Sequence, residues 1–284
     1  MPPDLPEPNR PFRWNLAAGD RVGSLLEGVD EPDLWFADEL LACAAKVLAR
    51  CADGDLHFVG RSVDSLYDLL SGALAGTSWA GRLRPLPFST GYEPPGEPEV
   101  RQLRANLAAE GLAPELLARR RRPVVLVDLV YGGRTFDALF SHLRRWIAEE
   151  RAQWDVIRLK LRFLGLTERT HTSPNTWRWQ QHAPWTTELP ASAVANVSLD
   201  WDLWRHLGNE QAKVTRSFRP SSWLDTSVAA PPRDTEARHA LAEALALVEW
   251  GRRRETRAAL VRLLAAEPGF AEPWLRSLAL ELRR

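Results

Sequence analysis

Apolar positions along the chain alternate between helical and strand spacing. Leu34, Ala37, Leu41, Ala44, Ala45 and Leu48 fall on one helical face, so the spacing predicts a helix over 34–50, with Asp33 placed to cap it. Leu56-His57-Phe58-Val59 is a short apolar run of the kind that forms a buried strand. Gly60-Arg61-Ser62 then reads as a turn, and a second helix starts at Ser62 or Asp64 and ends before Gly76. Residues 82–88 read as extended, and Pro85 and Pro87 put that strand near a sheet edge. Helices over 100–109 and 114–120 follow. The run Val124-Val125-Leu126-Val127-Asp128-Leu129-Val130 predicts a buried strand with an acid near its end, then a Gly132-Gly133 turn and a helix to about Arg151. Further strands are expected over 156–166 and 192–199. Strands alternating with helices imply an α/β fold with a parallel sheet covered on both faces.

The organisation expected is a proline-rich arm over 1–32, a main domain over 33–225, a linker over 226–233 and a helical tail over 234–284. The loop over 91–98, rich in glycine, proline and glutamate, is a candidate mobile flap. In the tail, Leu241, Leu245, Val248, Gly251, Leu260, Leu264 and Trp274 resemble one and a half units of a tetratricopeptide-like repeat. A self-supporting solenoid wants about three such units. Two readings of the tail stay open: it docks a protein partner or a second copy as a homodimer, or it packs on its own main domain.

Composition narrows the function classes. The 37 basic residues balance 37 acidic ones, and a neutral chain lacks the basic surplus of a nucleic-acid partner. No apolar run reaches the length of a membrane span, and the opening MPPDLPEPNRPF lacks the apolar core of a secretory signal. With Cys43 and Cys51 as the sole cysteines, neither a disulfide framework nor a cysteine-rich zinc site is available, and a reducing cytoplasm is the compartment expected. The arginine run 119–122 reads as a solvated helix end. Thirteen tryptophans supply core area or flat stacking faces.

The chemistry concentrates in the strand–acid–glycine-turn–helix unit. Ligands of parallel sheets sit at the carboxyl ends of the strands. Gly132 and Gly133 let backbone approach a ligand, and the helix that follows offers unpaired N–H groups and a positive dipole end. Arg134 adds charge and Thr135 a hydroxyl. Together they predict a nest for a phosphate monoester, with Asp128 beside the attached sugar, where a carboxylate accepts ribose hydroxyls or helps hold Mg²⁺.

In these residues the chain resembles the type I phosphoribosyltransferases. Val124 to Thr135 follows their signature of an apolar strand, acids, apolar residues and a glycine–threonine loop. Leu56 to Ser62, with Leu66, Leu69 and Leu70 behind it, resembles their first strand and pyrophosphate loop. The resemblance covers about residues 35 to 205. It implies a parallel-sheet phosphoribosyltransferase-like domain, flavodoxin-like and doubly wound, that binds phosphoribosyl pyrophosphate or a ribose 5-phosphate moiety with Mg²⁺ and transfers the sugar to or from a nucleobase-like acceptor. It assigns catalysis to Asp128 and Arg61, metal binding to Asp128, and phosphate or ribose contacts to Gly60, Ser62, Tyr131, Gly132, Gly133, Arg134 and Thr135. Acceptor stacking falls to Trp177 and Trp179.

The chain also departs from that pattern. In an ungapped match Val127 stands where the first acid of a pair belongs, Tyr131 where some members carry an acidic base, and Gly132 where the phosphate loop has its first threonine. With a loop one residue shorter, Asp128 is instead the first acid. Either way one acid remains, which leaves a second function class open: a nucleotide or sugar-phosphate sensor, or an interaction module, on the same fold. Each feature has a plainer reading beside it: a turn with a helix cap at Gly60-Arg61-Ser62, a cap or an arginine partner for Asp128, core packing for the tryptophans. His171 and His182, with no cysteine nearby, do not make a metal site by themselves.

Overall fold

The computed structural model describes residues 5–19, 22–91, 93–169 and 178–284. Five strands form one sheet: β1 (Asp55–Val59), β2 (Leu83–Leu86), β3 (Val124–Leu129), β4 (Leu161–Glu168) and β5 (Val194–Leu199). All neighbours pair in parallel, in the order β2-β1-β3-β4-β5. The proline-bearing strand β2 lies at one edge, where a missing N–H breaks no ladder.

Strand alternation sends neighbouring side chains to opposite faces. Leu56, Phe58, Val125, Val127, Leu164 and Leu166 enter one core layer, whereas Val59, Val124, Leu126, Leu161 and Phe163 enter the other. Helices α1 (Ala37–Arg50) and α2 (Asp64–Ala73) cover the first face. Helices α3 (Glu97–Ala109), α4 (Pro114–Arg119) and α5 (Arg134–Glu149) cover the second. The sheet is therefore parallel with helices on both faces, as the alternating pattern implies.

Several boundaries differ from expectation. Residues expected to open β4 form a short helix, α6 (Trp154–Ile157), and pairing starts at Leu161. Helix α1 starts at Ala37 with Phe36 at its N-cap and no side-chain cap bond, so Asp33 does not cap it. In the arginine run, Arg120 is not merely solvated: it pairs with Asp55 at the start of β1. His57, inside β1, is buried and stays neutral, its pKa pushed down to about 4 by burial.

After β5 the chain forms α7 (Trp201–Arg205) and then crosses the molecule to the tail helices α8 (Thr235–Arg252), α9 (Arg254–Ala266) and α10 (Pro273–Leu282). These helices do not stand apart. Leu247, Leu260, Val261, Leu264, Leu275 and Leu278 join the same core as α1 and α2. Gly72 of α2 touches the Val248 backbone so closely that a Cβ there would collide with its carbonyl. Trp274 stacks on Trp79 at 5.4 Å. Of the two readings of the tail, packing on its own domain is the one observed. Within the stretch expected to be a linker, Val228 is buried and its carbonyl accepts the Phe12 N–H at 2.8 Å. The N-terminal arm is likewise pinned, with the Asn9 amide donating to the Trp223 and Asp225 carbonyls, each at 2.9 Å.

Candidate functional site

Strand order fixes where a ligand can sit. β1 and β3 are neighbours, but the chain leaves β1 for α2 on one face and leaves β3 for α5 on the other. Departures in opposite directions open a crevice at the carboxyl ends of these two strands. A cavity of about 190 Å³ lies there. Gly60, Arg61 and Ser62 reach it from the turn after β1, and Asp128 and Thr135 from the β3–α5 unit. Ser89 and Thr90 come from the chain leaving β2, and Ser217 and Arg219 from the segment after α7. Five residues singled out from sequence thus share one cavity.

Asp128 is only 6% exposed. Its Oδ1 accepts the Leu129 N–H at 2.8 Å, and the Thr135 side chain hydrogen-bonds it. Both bonds favour the carboxylate, but burial outweighs them and pushes its pKa up to about 8. At neutral pH this side chain is mostly the neutral acid, able to donate a hydrogen bond.

The cationic side chains of the cavity are Arg61 and Arg219. Neither forms an ion pair with the described residues. Burial lowers the Arg61 pKa; Asp64 counters this and Arg219 adds to it. The hydroxyls of Ser62, Ser89, Thr90, Thr135 and Ser217 complete a small, strongly polar wall. The 214–219 segment supplies Ser217 and Arg219, neither of which is singled out from sequence. Its local signal is buried Val214 and Phe218 flanking Thr215, Arg216 and Ser217, an anchored polar loop.

The remaining sequence candidates are placed differently. Gly133 takes φ +79° as the N-cap of α5, and an added Cβ would sit 2.5 Å from the Trp179 ring. Trp179 is therefore not an open stacking platform. At 1% exposure, it packs against Gly133, Phe136 and Trp185, and its Nε1 donates to Asn196 Oδ1 at 2.9 Å. Its role is a floor under the glycine turn. Trp177 lies outside the described residues. Tyr131 is 66% exposed and leans on Trp204, 6.0 Å between ring centroids, rather than lining the cavity. Gly132, Gly133 and Arg134 also lie off the cavity wall, and Gly132 and Arg134 are exposed.

A second cavity, of about 250 Å³, shares Gly60, Arg61, Phe88 and Ser89 with the first. Its walls are aromatic, from Trp14, Tyr67, Phe88 and Phe218. Its polar flank is a closed network. Arg13 pairs with Asp64 at 2.7 Å and with Asp68 at 2.6 Å, and donates to Thr215 Oγ1 at 2.8 Å; Thr215 in turn donates to Asp64 Oδ2 at 2.9 Å.

Mg²⁺ is usually held by one or two carboxylates together with phosphate oxygens and water. Asp128 is the sole carboxylate lining the smaller cavity, and two guanidinium groups line it too. Among the described residues no cluster of three or more His, Cys, Asp or Glu could hold a metal ion. One carboxyl group that burial keeps largely protonated, sharing its cavity with two guanidinium groups, does not fit a resident Mg²⁺. Among the same residues no helix is long and apolar enough to cross a membrane. Comparison with protein-family models, with curated proteins and with solved structures finds no match.

Proposed function

We propose that the protein binds a ribose 5-phosphate or phosphoribosyl pyrophosphate moiety in the cavity between the carboxyl ends of β1 and β3. The observation that carries this reading is the meeting of Arg61, Ser62, Asp128 and Thr135, from two separate turns, with Arg219 in one polar cavity. Guanidinium groups and hydroxyls suit phosphate oxygens. A neutral Asp128 can donate to a sugar oxygen or accept a hydroxyl. With one acid, no second carboxylate and an outward Tyr131, binding without turnover is the form of this function that the geometry favours, as in a nucleotide or sugar-phosphate sensor. Calorimetry with ribose 5-phosphate tests it. Binding that weakens about tenfold on Thr135→Ala or Arg61→Ala, the scale of one charge-assisted hydrogen bond, is expected. No heat from ribose 5-phosphate or phosphoribosyl pyrophosphate sinks the reading.

A second reading, sugar transfer, is favoured by the aromatic cavity on the other side of Arg61. A flat acceptor against Trp14 and Phe88 would stand next to the sugar site, in place of the tryptophans suggested by sequence. In that reaction the acceptor nitrogen bonds to C1 with its lone pair. The C1–O bond breaks, its electrons leave with pyrophosphate, and the acceptor proton passes to water or to the leaving group. Arg61 would stabilise the leaving charge, mainly by position. Release of pyrophosphate with some nucleobase, lost in Arg61→Ala, distinguishes a transferase from a sensor.

A further inference from the structure

Two guanidinium groups, Arg61 and Arg219, border one cavity of about 190 Å³. Like charges placed together repel unless an anion lies between them. Two acids bear on Arg61, Asp64 more than Glu236; neither forms an ion pair with it, and both Asp64 oxygens are already used. Oδ1 is paired with Arg13 at 2.7 Å, and Oδ2 accepts the Thr215 hydroxyl at 2.9 Å. Across the cavity, Asp128 is engaged by the Leu129 N–H and by Thr135, and forms no ion pair with either arginine. The Arg61 guanidinium makes a long hydrogen bond, 3.5 Å to the Thr215 carbonyl. Among the described residues neither Arg61 nor Arg219, at the exposed rim, forms an ion pair, so their donors face the cavity with capacity for an anion.

Resting on the reading of this cavity as a sugar-phosphate site, we propose that Arg61 and Arg219 neutralise the bound phosphate or diphosphate directly, so that the ligand binds without a divalent cation. Each guanidinium presents a planar fork of donors that matches phosphate oxygens in pairs. Two forks supply the positive charge that a metal would otherwise bring. Ser62, Ser89, Thr90 and Ser217 offer hydroxyls to the remaining oxygens, as metal-bound waters would. A divalent cation entering here would meet two fixed positive charges and one carboxyl group.

The test uses the full chain and two probes, inorganic pyrophosphate and ribose 5-phosphate, titrated calorimetrically in excess EDTA and in excess Mg²⁺. Affinity in EDTA should equal or exceed that in Mg²⁺. Arg219→Gln, at an exposed position where folding is little affected, should weaken binding in EDTA about tenfold. Arg219→Lys should recover part of the loss, because it keeps the charge without the fork. Comparing the two probes separates a site for sugar phosphate from one for free diphosphate. A tenfold or greater rise in affinity with Mg²⁺, abolished by Asp128→Asn, overturns the proposal and leaves the sugar-phosphate reading standing. So does unchanged binding in Arg219→Gln. Absence of binding in both media overturns both.

Discussion

Asp128 and the Asp64–Asp68 pair are buried carboxyl groups at the same end of the sheet, yet they are satisfied in opposite ways. Asp64 and Asp68 meet a cation from the chain itself. Arg13 reaches in from the N-terminal arm, contacts both, and lies 4.7 Å from the centre of the Tyr67 ring. Burial opposes its charge, but the two acids hold the Arg13 pKa above its ordinary value. Asp128 meets only neutral donors. Burial disfavours the charged form of both kinds of acid, pushing Asp128 up to about 8 and Asp68, even beside Arg13, up to about 7, so the difference lies in the partner and not in the direction of the shift. The first cluster borders the aromatic cavity, but its acids are paired within the chain. The second opens on a cavity with two unpaired arginines, so its polar capacity is still to be met. Burial of an acid therefore does not distinguish scaffold from site; the presence of an internal counter-charge does.

Removing that counter-charge should have the largest effect. Arg13→Ala removes the cation with which both buried carboxyl groups are paired and should lower unfolding stability by about 3–5 kcal/mol, read by denaturant titration. A loss below about 1 kcal/mol would break the comparison, because it would mean that the pair was solvated. Next in size is Gly133→Ala. A positive φ costs about 1–3 kcal/mol for a side-chain-bearing residue, and the new methyl also meets the Trp179 ring. Thermal melting should show the loss, and Trp179→Leu in the same chain should relieve the steric part.

Asp128→Asn sharpens the contrast through pH. The folded pKa of Asp128, about 8, exceeds the unfolded value of about 3.9, so the folded state holds the proton longer. The stability this acid contributes is full below the unfolded pKa and is lost as pH rises through about 8. Relative to Asp128→Asn, the wild type should therefore lose stability between about pH 4 and 8, with a slope of at most ~1.4 kcal/mol per pH unit. Above that window the two curves should run parallel. A difference that grows with pH in favour of the wild type would show that Asp128 is charged and paired. The smallest effect is expected at Tyr131. Tyr131→Ala should change stability by no more than about 0.5 kcal/mol and leave calorimetric binding of ribose 5-phosphate unaltered.

Much of the scaffold was legible in the chain. Continuous apolar runs marked β1 and β3, and prolines placed β2 at an edge. Asp128 stood out because an acid ending a buried strand needs a reason. Gly60, Arg61, Ser62 and Thr135 were found by the same logic of turns after strands. The expected β4 start failed because Val156 and Ile157 are apolar in a helical turn as well as in a strand. Trp179 was misplaced because an indole serves a core and a stacking face equally well, and composition does not say which side of it is covered. Ser217 and Arg219 were missed because the local mark, apolar Val214 and Phe218 around polar residues, says only that the loop is anchored and not which cavity it reaches. Arg13 was missed for the same reason, since its acids lie about fifty residues further along the chain.

Local patterning was enough to settle which segments are strands or helices, which faces are apolar, and that a glycine turn follows an acid. Those features depend on neighbours a few residues away, whose geometry is set by backbone sterics and side-chain period. Which acid receives a cation, which arginines are left unpaired and which ring closes over the glycine turn depend on residues brought together from the arm, the strands and the loop after α7. Those pairings were decided by packing: each charged or aromatic group has several candidate partners in the chain, and the folded core brings only one set of them within reach.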